Sequence, residues 1–233
     1  MSLSISEFKM TSAVCEIRYD DAYLVYDRTG QICHELKAHF SGFKVQSPSP
    51  SQTTGSAKEG TFVLETAASR FSTKNPDTKL EQFAVSCKQF FDSVTTGLEV
   101  KVFTRIGLRI MYRKDFRELE EAKSAFTAMK LTTLTPSQRF GAADEPNEIY
   151  LRWEGKDVGT TWRAKAEDIK IDVVLPPEIE AEKSELHKVF NALVVDVDYY
   201  TVAPVEKSQW DPKEWIQHSI RTIRRETDVI LGN

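Results

Sequence analysis

The sequence predicts an α+β protein with mixed or antiparallel sheets in two halves, the second half a β-meander closed by a C-terminal amphipathic helix. Three observations predict it. Alternation of apolar and polar residues at the strand period recurs near both ends of the chain, over 13–19, 98–113 and 192–201. Apolar stripes at the helix period run through 80–94 and 215–230. Between them, the strand-like segments 148–154, 158–165 and 169–175 follow one another too closely to hold crossover helices, so they must pair antiparallel.

The elements follow in order. Ala13, Cys15, Ile17 and Tyr19 alternate with Val14, Glu16 and Arg18, the pattern of a half-buried strand. Ile32, Leu36, Phe40 and Phe43 recur at three to four, which predicts a short helix over 29–41. Ten of the fourteen residues 47–60 are Ser, Pro, Thr or Gly, so this stretch reads as an exposed loop. A hairpin is expected from 61–65 and 69–73. Leu80, Phe83, Ala84, Cys87, Phe90, Phe91 and Val94 form the clearest helical stripe, with Thr78 and Glu81 as a capping box and Gly97 as a stop. One long strand over 98–113 alternates through Val100, Val102, Thr104, Ile106, Leu108, Ile110 and Tyr112. Asp115 and Glu118 then cap a helix that carries Phe116, Leu119, Phe126 and Met129.

In the second half, Gly155 and Asp157 mark one turn of the meander and 166–168 a second, with Pro176-Pro177 as its end. Residues 178–188 suit either a helix or an excursion. The last strand is expected over 192–201. Asp211-Pro212-x-Glu214 supplies an N-cap, a proline at the first helical position and an acid in the first turn, so the final helix starts there. The division between a 1–133 half and a 134–233 half falls in the polar stretch 131–146.

Composition narrows the classes. The chain has 233 residues, 40% hydrophobic and 28% charged, which is enough for a core without staples. With 31 basic and 35 acidic residues the net charge is −4, so neither nucleic acid nor an anionic membrane is expected as the main partner. The three cysteines, Cys15, Cys33 and Cys87, lie in apolar stretches outside any C-x-x-C, as buried free thiols of a cytoplasmic protein would. Residues 1–10 hold one lysine and no apolar run of signal-peptide length, and no segment has a membrane-spanning apolar run.

Two segments carry a resemblance. Phe103-Thr104-Arg105-Ile106-Gly107-Leu108-Arg109, an F-x-R-I-G-L-R strand, resembles a signature of a sporadically distributed family of uncharacterised prokaryotic proteins. Val194-Val195-Asp196-Val197-Asp198, a D-x-D strand before the C-terminal helix, resembles that family's second signature, and Ile17-Arg18-Tyr19 is a weaker third match. After the second arginine, Ile110, Met111 and Tyr112 depart from the family pattern. The resemblance implies the fold and no particular chemistry.

Strand phase predicts where chemistry would sit. Opposite the apolar face of 98–113 lie Lys101, Phe103, Arg105, Gly107, Arg109, Met111 and Arg113; on the last strand lie Val194, Asp196, Asp198 and Tyr200; on the first strand, Glu16 and Arg18. The simplest expectation is a ladder of cross-strand ion pairs on a solvated face. A ligand site for a small anion or nucleotide would use Arg105 and Arg109, with Lys101 and Arg18, because guanidinium forks fit carboxylate and phosphate. A divalent-metal enzyme would use Asp172, Asp196 and Asp198, since hard cations take carboxylate oxygens. No phosphate-binding glycine loop, nucleophile motif or ligand-spaced histidine pair accompanies them, and no cofactor is implied. The expected function is therefore a non-enzymatic interaction or binding module, with a protein partner or self-association.

Overall fold

The computed structural model describes residues 3–49, 51–74, 80–129, 131, 146–172 and 187–232, with the side chains of 170–172, 187 and 188 outside that description. The chain runs through β1 (Lys9–Arg18), α1 (Val25–His39), β2 (Lys44–Pro48), β3 (Gln52–Ala57), β4 (Gly60–Glu65), β5 (Ala68–Thr73) and α2 (Leu80–Gly97). It continues through β6 (Val102–Phe103), β7 (Arg105–Phe116), α3 (Leu119–Ala128), β8 (Glu148–Glu154), β9 (Val158–Asp172), β10 (His187–Thr201), β11 (Val205–Glu206) and α4 (Pro212–Leu231). Nine strands form one antiparallel sheet in the order β2-β3-β4-β5-β1-β7-β10-β9-β8, and β6 pairs with β11 beside it. The 133/134 division falls outside the described residues; β7, before it, and β10, after it, are hydrogen-bonded neighbours.

Alternation along the central strands sends Cys15, Ile17, Phe71, Leu108, Ile110, Val195 and Trp162 to one face, where all are buried. The helices pack on that face. α2 sits at the centre because its stripe is aromatic: the Phe90 ring lies 5.7 Å from Phe71, 6.0 Å from Phe62 and 5.0 Å from Phe91. Cys15 and Cys87 meet there as free thiols, and burial pushes the Cys87 thiol well above its ordinary value. No helix among the described residues is long and apolar enough to cross a membrane.

α4 begins where Asp211 and Pro212 place it. The Asp211 carboxylate accepts the Glu214 N–H at 2.9 Å, and Gly232 closes the helix in the left-handed region at φ 93°. The Glu214 N–H first, and then Lys88, hold the Asp211 carboxyl below its ordinary value of 3.8. A depressed folded value means that the charged cap's contribution is complete above pH 3.8 and is lost as pH falls through the lower folded value. Asp211→Ala is expected to lower unfolding stability by about 1 kcal/mol near neutral pH. Urea melts of both proteins should show that difference narrowing only at strongly acid pH.

Several expectations are corrected. Residues 47–60 contain the β2–β3 hairpin rather than a loop. Thr53 and Gly55 point inward, and a Cβ on Gly55 would stand 2.2 Å from the Phe62 ring, so small residues are what the packing requires there. The strand expected over 98–113 is broken. Phe103 turns inward against Trp210, with ring centroids 4.8 Å apart, and the exposed Thr104 donates its N–H to the Arg18 carbonyl at 2.8 Å. Alternation therefore changes phase at 104, and Lys101 lies outside any strand. β7 then runs on to Phe116, so Asp115 pairs with Arg113 at 2.8 Å instead of capping α3. The turn expected at 166–168 is absent: β9 is one strand whose Ala166 sits opposite Leu193 of a β10 that starts five residues before Ala192. α1 begins at Val25, four residues before the expected start. Strand phase puts Trp153 inward with Ile149 and Leu151, yet it is 48% exposed because β8 is an edge strand. Thr78, 173–175 and most of 178–188 lie outside the described residues.

Candidate functional site

The face of the sheet away from the helices carries the charged residues. Register determines who meets whom: Asp198 is opposite Arg109, Tyr200 opposite Gly107, Glu16 opposite Gly107, and Arg18 opposite Arg105. Two arginines facing each other would repel. Glu16 lies between them, and its Oε1 accepts Arg18 Nε at 2.7 Å with Arg105 Nη1 at 3.6 Å.

Arg105 lies along its own strand. Its guanidinium passes over Gly107, where a Cβ would be 2.7 Å from Nη1, and its Nη2 donates to Asp198 Oδ2 at 2.6 Å. The same guanidinium stacks 4.6 Å from the Tyr200 ring centroid. Tyr200 in turn lies over Gly159, and its hydroxyl donates to Glu154 Oε1 at 2.9 Å. Gly107 and Gly159 thus leave the space in which an arginine and a tyrosine lie flat on the sheet. Arg109 grips Asp196 with both arms of its fork, Nε to Oδ1 at 2.8 Å and Nη2 to Oδ2 at 2.5 Å. Further out, Arg163 Nε donates to Glu148 at 2.7 Å and Arg70 pairs with Glu65 at 3.0 Å.

Burial raises the Asp198 carboxyl above its ordinary value, outweighing the neighbouring Arg105 and Arg109. The Asp196 bond raises Arg109 further into its charged range, against the opposing effect of burial. In the Arg109–Asp196 and Arg18–Glu16 pairs the acid sits deep and the guanidinium high, whereas Arg105 and Asp198 are buried about equally. Asp196 is 13% exposed beneath an Arg109 that is 54% exposed, and Glu16 is 19% exposed beside an Arg18 that is 55% exposed. Two recesses flank Arg109. One of about 260 Å³ is lined by Glu16, Arg18, Arg70, Arg105 and Asp198, and one of about 530 Å³ by Tyr150, Thr161, Arg163 and Asp196.

The structure brings together Arg18, Arg105, Arg109, Asp196 and Asp198. Lys101 is not among them; it lies by the end of α2, where its carbonyl accepts the Lys207 N–H at 2.8 Å. The three-aspartate metal set does not assemble. Asp172 stands opposite His187, nine positions along β10 from Asp196, about 30 Å at the strand rise. Among the described residues no group of three or more His, Cys, Asp or Glu side chains is placed to hold a metal. Arg163, Glu148, Tyr150 and Tyr200 complete the face. The outward phase of 148–154 and 158–165 marks the first three, and Tyr200 shares the phase of Asp196 and Asp198.

No protein-family model matches the chain, and no curated protein matches its sequence. The segments that carry the sequence resemblance are three neighbouring strands. Ile17-Arg18 ends β1, Arg105 to Arg109 opens β7, and Asp196 and Asp198 lie in β10. Within them the two arginines of one segment bind the two aspartates of the other, and the glycine makes room for the first arginine.

Proposed function

We propose that the chain is a non-enzymatic binding module, and that the open face of its sheet is the surface that binds. The observation that carries this reading is the layering of charge. Each carboxylate that could act as an acid, base or metal ligand at the centre of the face (Glu16, Asp196, Asp198) is held by an arginine. Catalysis by a carboxylate needs one free to exchange protons, and these are committed to orienting guanidiniums. A partner approaching the face meets the outer edges of Arg18 and Arg109, whose remaining donors suit carboxylate or phosphate groups. The partner is then an acidic protein surface, with a small anion as the second reading, favoured by the 260 Å³ recess among four arginines. The three free thiols and the ordinary charge balance fit a cytoplasmic setting.

The test is calorimetric titration at low ionic strength with an oligoglutamate peptide, inorganic phosphate and a dicarboxylate. The expected result is saturable binding that weakens with added salt and is lost when Arg18 and Arg109 are both replaced by alanine. Binding by none of the three probes, or equal binding to the double variant, overturns the reading.

A further inference from the structure

The two edges of the sheet are treated differently. β2, at one end, is five residues long, fully exposed, interrupted by a register shift between Val45 and Ser47, and closed by Pro48. These are the devices that keep an edge from pairing with another chain. β8, at the other end, has seven residues in unbroken register with β9, no proline, and two exposed aromatics, Tyr150 at 58% and Trp153 at 48%. Behind it, Trp153, Trp162, Val229 and Ile230 line an apolar groove of about 300 Å³ between the sheet and α4.

Hydrogen-bond parity shows which backbone groups β8 leaves pointing out. Asn147 accepts the Ala166 N–H and Gly155 donates to the Val158 carbonyl, each at 2.8 Å, so the odd-numbered residues of β8 face β9. Glu148, Tyr150, Arg152 and Glu154 direct their N–H and C=O groups away from the sheet. An antiparallel partner strand must pair with these even residues.

We propose that β8 is a homodimer edge, at which a second copy adds its own β8 antiparallel about a two-fold axis through Tyr150. The charges select this register. Centred on Tyr150, Glu148 stands opposite Arg152 of the second copy, twice by symmetry, and the inward Ile149 stands opposite Leu151. Centred on Leu151, Glu148 would oppose Glu154; centred on Arg152, that arginine would oppose itself; both place like charges face to face. Centred on Ile149, Glu148 would stand opposite Tyr150 and Arg152 opposite Pro146, so neither charge would meet its opposite. An isologous contact of this kind is self-complementary and closes, so it makes a dimer and not a fibre. It joins two nine-stranded sheets into one, and it stands independently of the open-face reading.

Disulfide trapping in the full chain tests it. Residues opposite one another in a hydrogen-bonded antiparallel pair have Cα atoms about 5.5 Å apart, within disulfide reach. Tyr150→Cys is therefore expected to form a covalent dimer on mild oxidation, seen on a non-reducing gel above the wild-type baseline. Arg152→Cys, about 13 Å from its copy by the strand rise, should not. By sedimentation equilibrium the wild type should be dimeric at micromolar concentration. Tyr150→Pro, which removes one outward donor and leaves the bonds to β9, should be monomeric with its thermal transition kept. A monomeric wild type, or equal trapping at 150 and 152, overturns the proposal.

Discussion

Replacing Phe90 by alanine is expected to lower unfolding free energy by about 3–5 kcal/mol, the cost of emptying an aromatic site in a packed core. The ring is fully buried and is the one that touches both halves of the aromatic cluster: Phe62 and Phe71 of the sheet on one side, and Phe91 of its own helix on the other. Phe91 continues the contact to Trp210, which packs on Phe103, so a cavity at 90 loosens the seat of α4 as well as that of α2. Chemical denaturation with a lowered midpoint and unchanged slope would confirm a loss of native packing. Phe90→Leu, which keeps most of the volume, should lose far less. Equal losses in the two variants would mean that the ring is not a packing centre.

The second large effect is expected at Arg105. Arg105→Met leaves Asp198 without its ion-pair partner, while Glu16 keeps Arg18, and costs about 1–3 kcal/mol for the one unpaired, partly buried carboxylate. Arg109→Ala takes away the half-exposed side chain that covers Asp196, so that carboxylate is opened to water and the loss should be no more than about 1 kcal/mol. The two arginines are thus separable: Arg105 holds the face together and Arg109 presents it. The deficit at Arg105 carries a pH signature. Asp198 has a folded value raised above the aspartate value of 3.8, so its burial penalty is complete above the raised value and disappears as pH falls below 3.8. Without Arg105 the raised value climbs further and the window widens upward. Arg105→Met should therefore recover stability relative to wild type on acidification, while Asp211→Ala approaches wild type only where its charge is lost. Urea melts across the acid range check both signs.

The three aromatic and aliphatic stripes were legible because burial on one face writes its period into the residues. Examples are Phe83, Cys87 and Phe90 on α2, Ile106, Leu108 and Ile110 on β7, and Ile216, Ile220 and Ile223 on α4. The start of α4 was legible for a different reason: Asp211 and Pro212 act on backbone groups within one turn, and need nothing from the rest of the fold. The β2–β3 hairpin was illegible because β2 is exposed throughout and the buried positions of β3 are Thr53 and Gly55, which write no apolar period, the glycine making room for Phe62. The phase change at Thr104 was illegible because Phe103 turns toward Trp210, more than a hundred residues away. The unbroken β9 exists because β10 runs beside all of it.

The charged face shows the same division. Strand phase alone put Arg18, Arg105, Arg109, Asp196 and Asp198 on outward positions, since alternation is a local property of extended backbone. Which strands are neighbours is not local. Only the order β1-β7-β10-β9 decided that the arginines meet those aspartates, that Lys101 stands apart, and that Asp172 is nine positions too far along to join a metal site. The α+β class, the helix stripes and the facing of these five charges could be read from the residues alone, because each rests on a period or a cap within a few residues. The pairing of β1, β7 and β10, their register and the place of β8 at an edge depend on the whole fold, because hydrogen bonds between distant strands join residues whose separation along the chain carries no local signal.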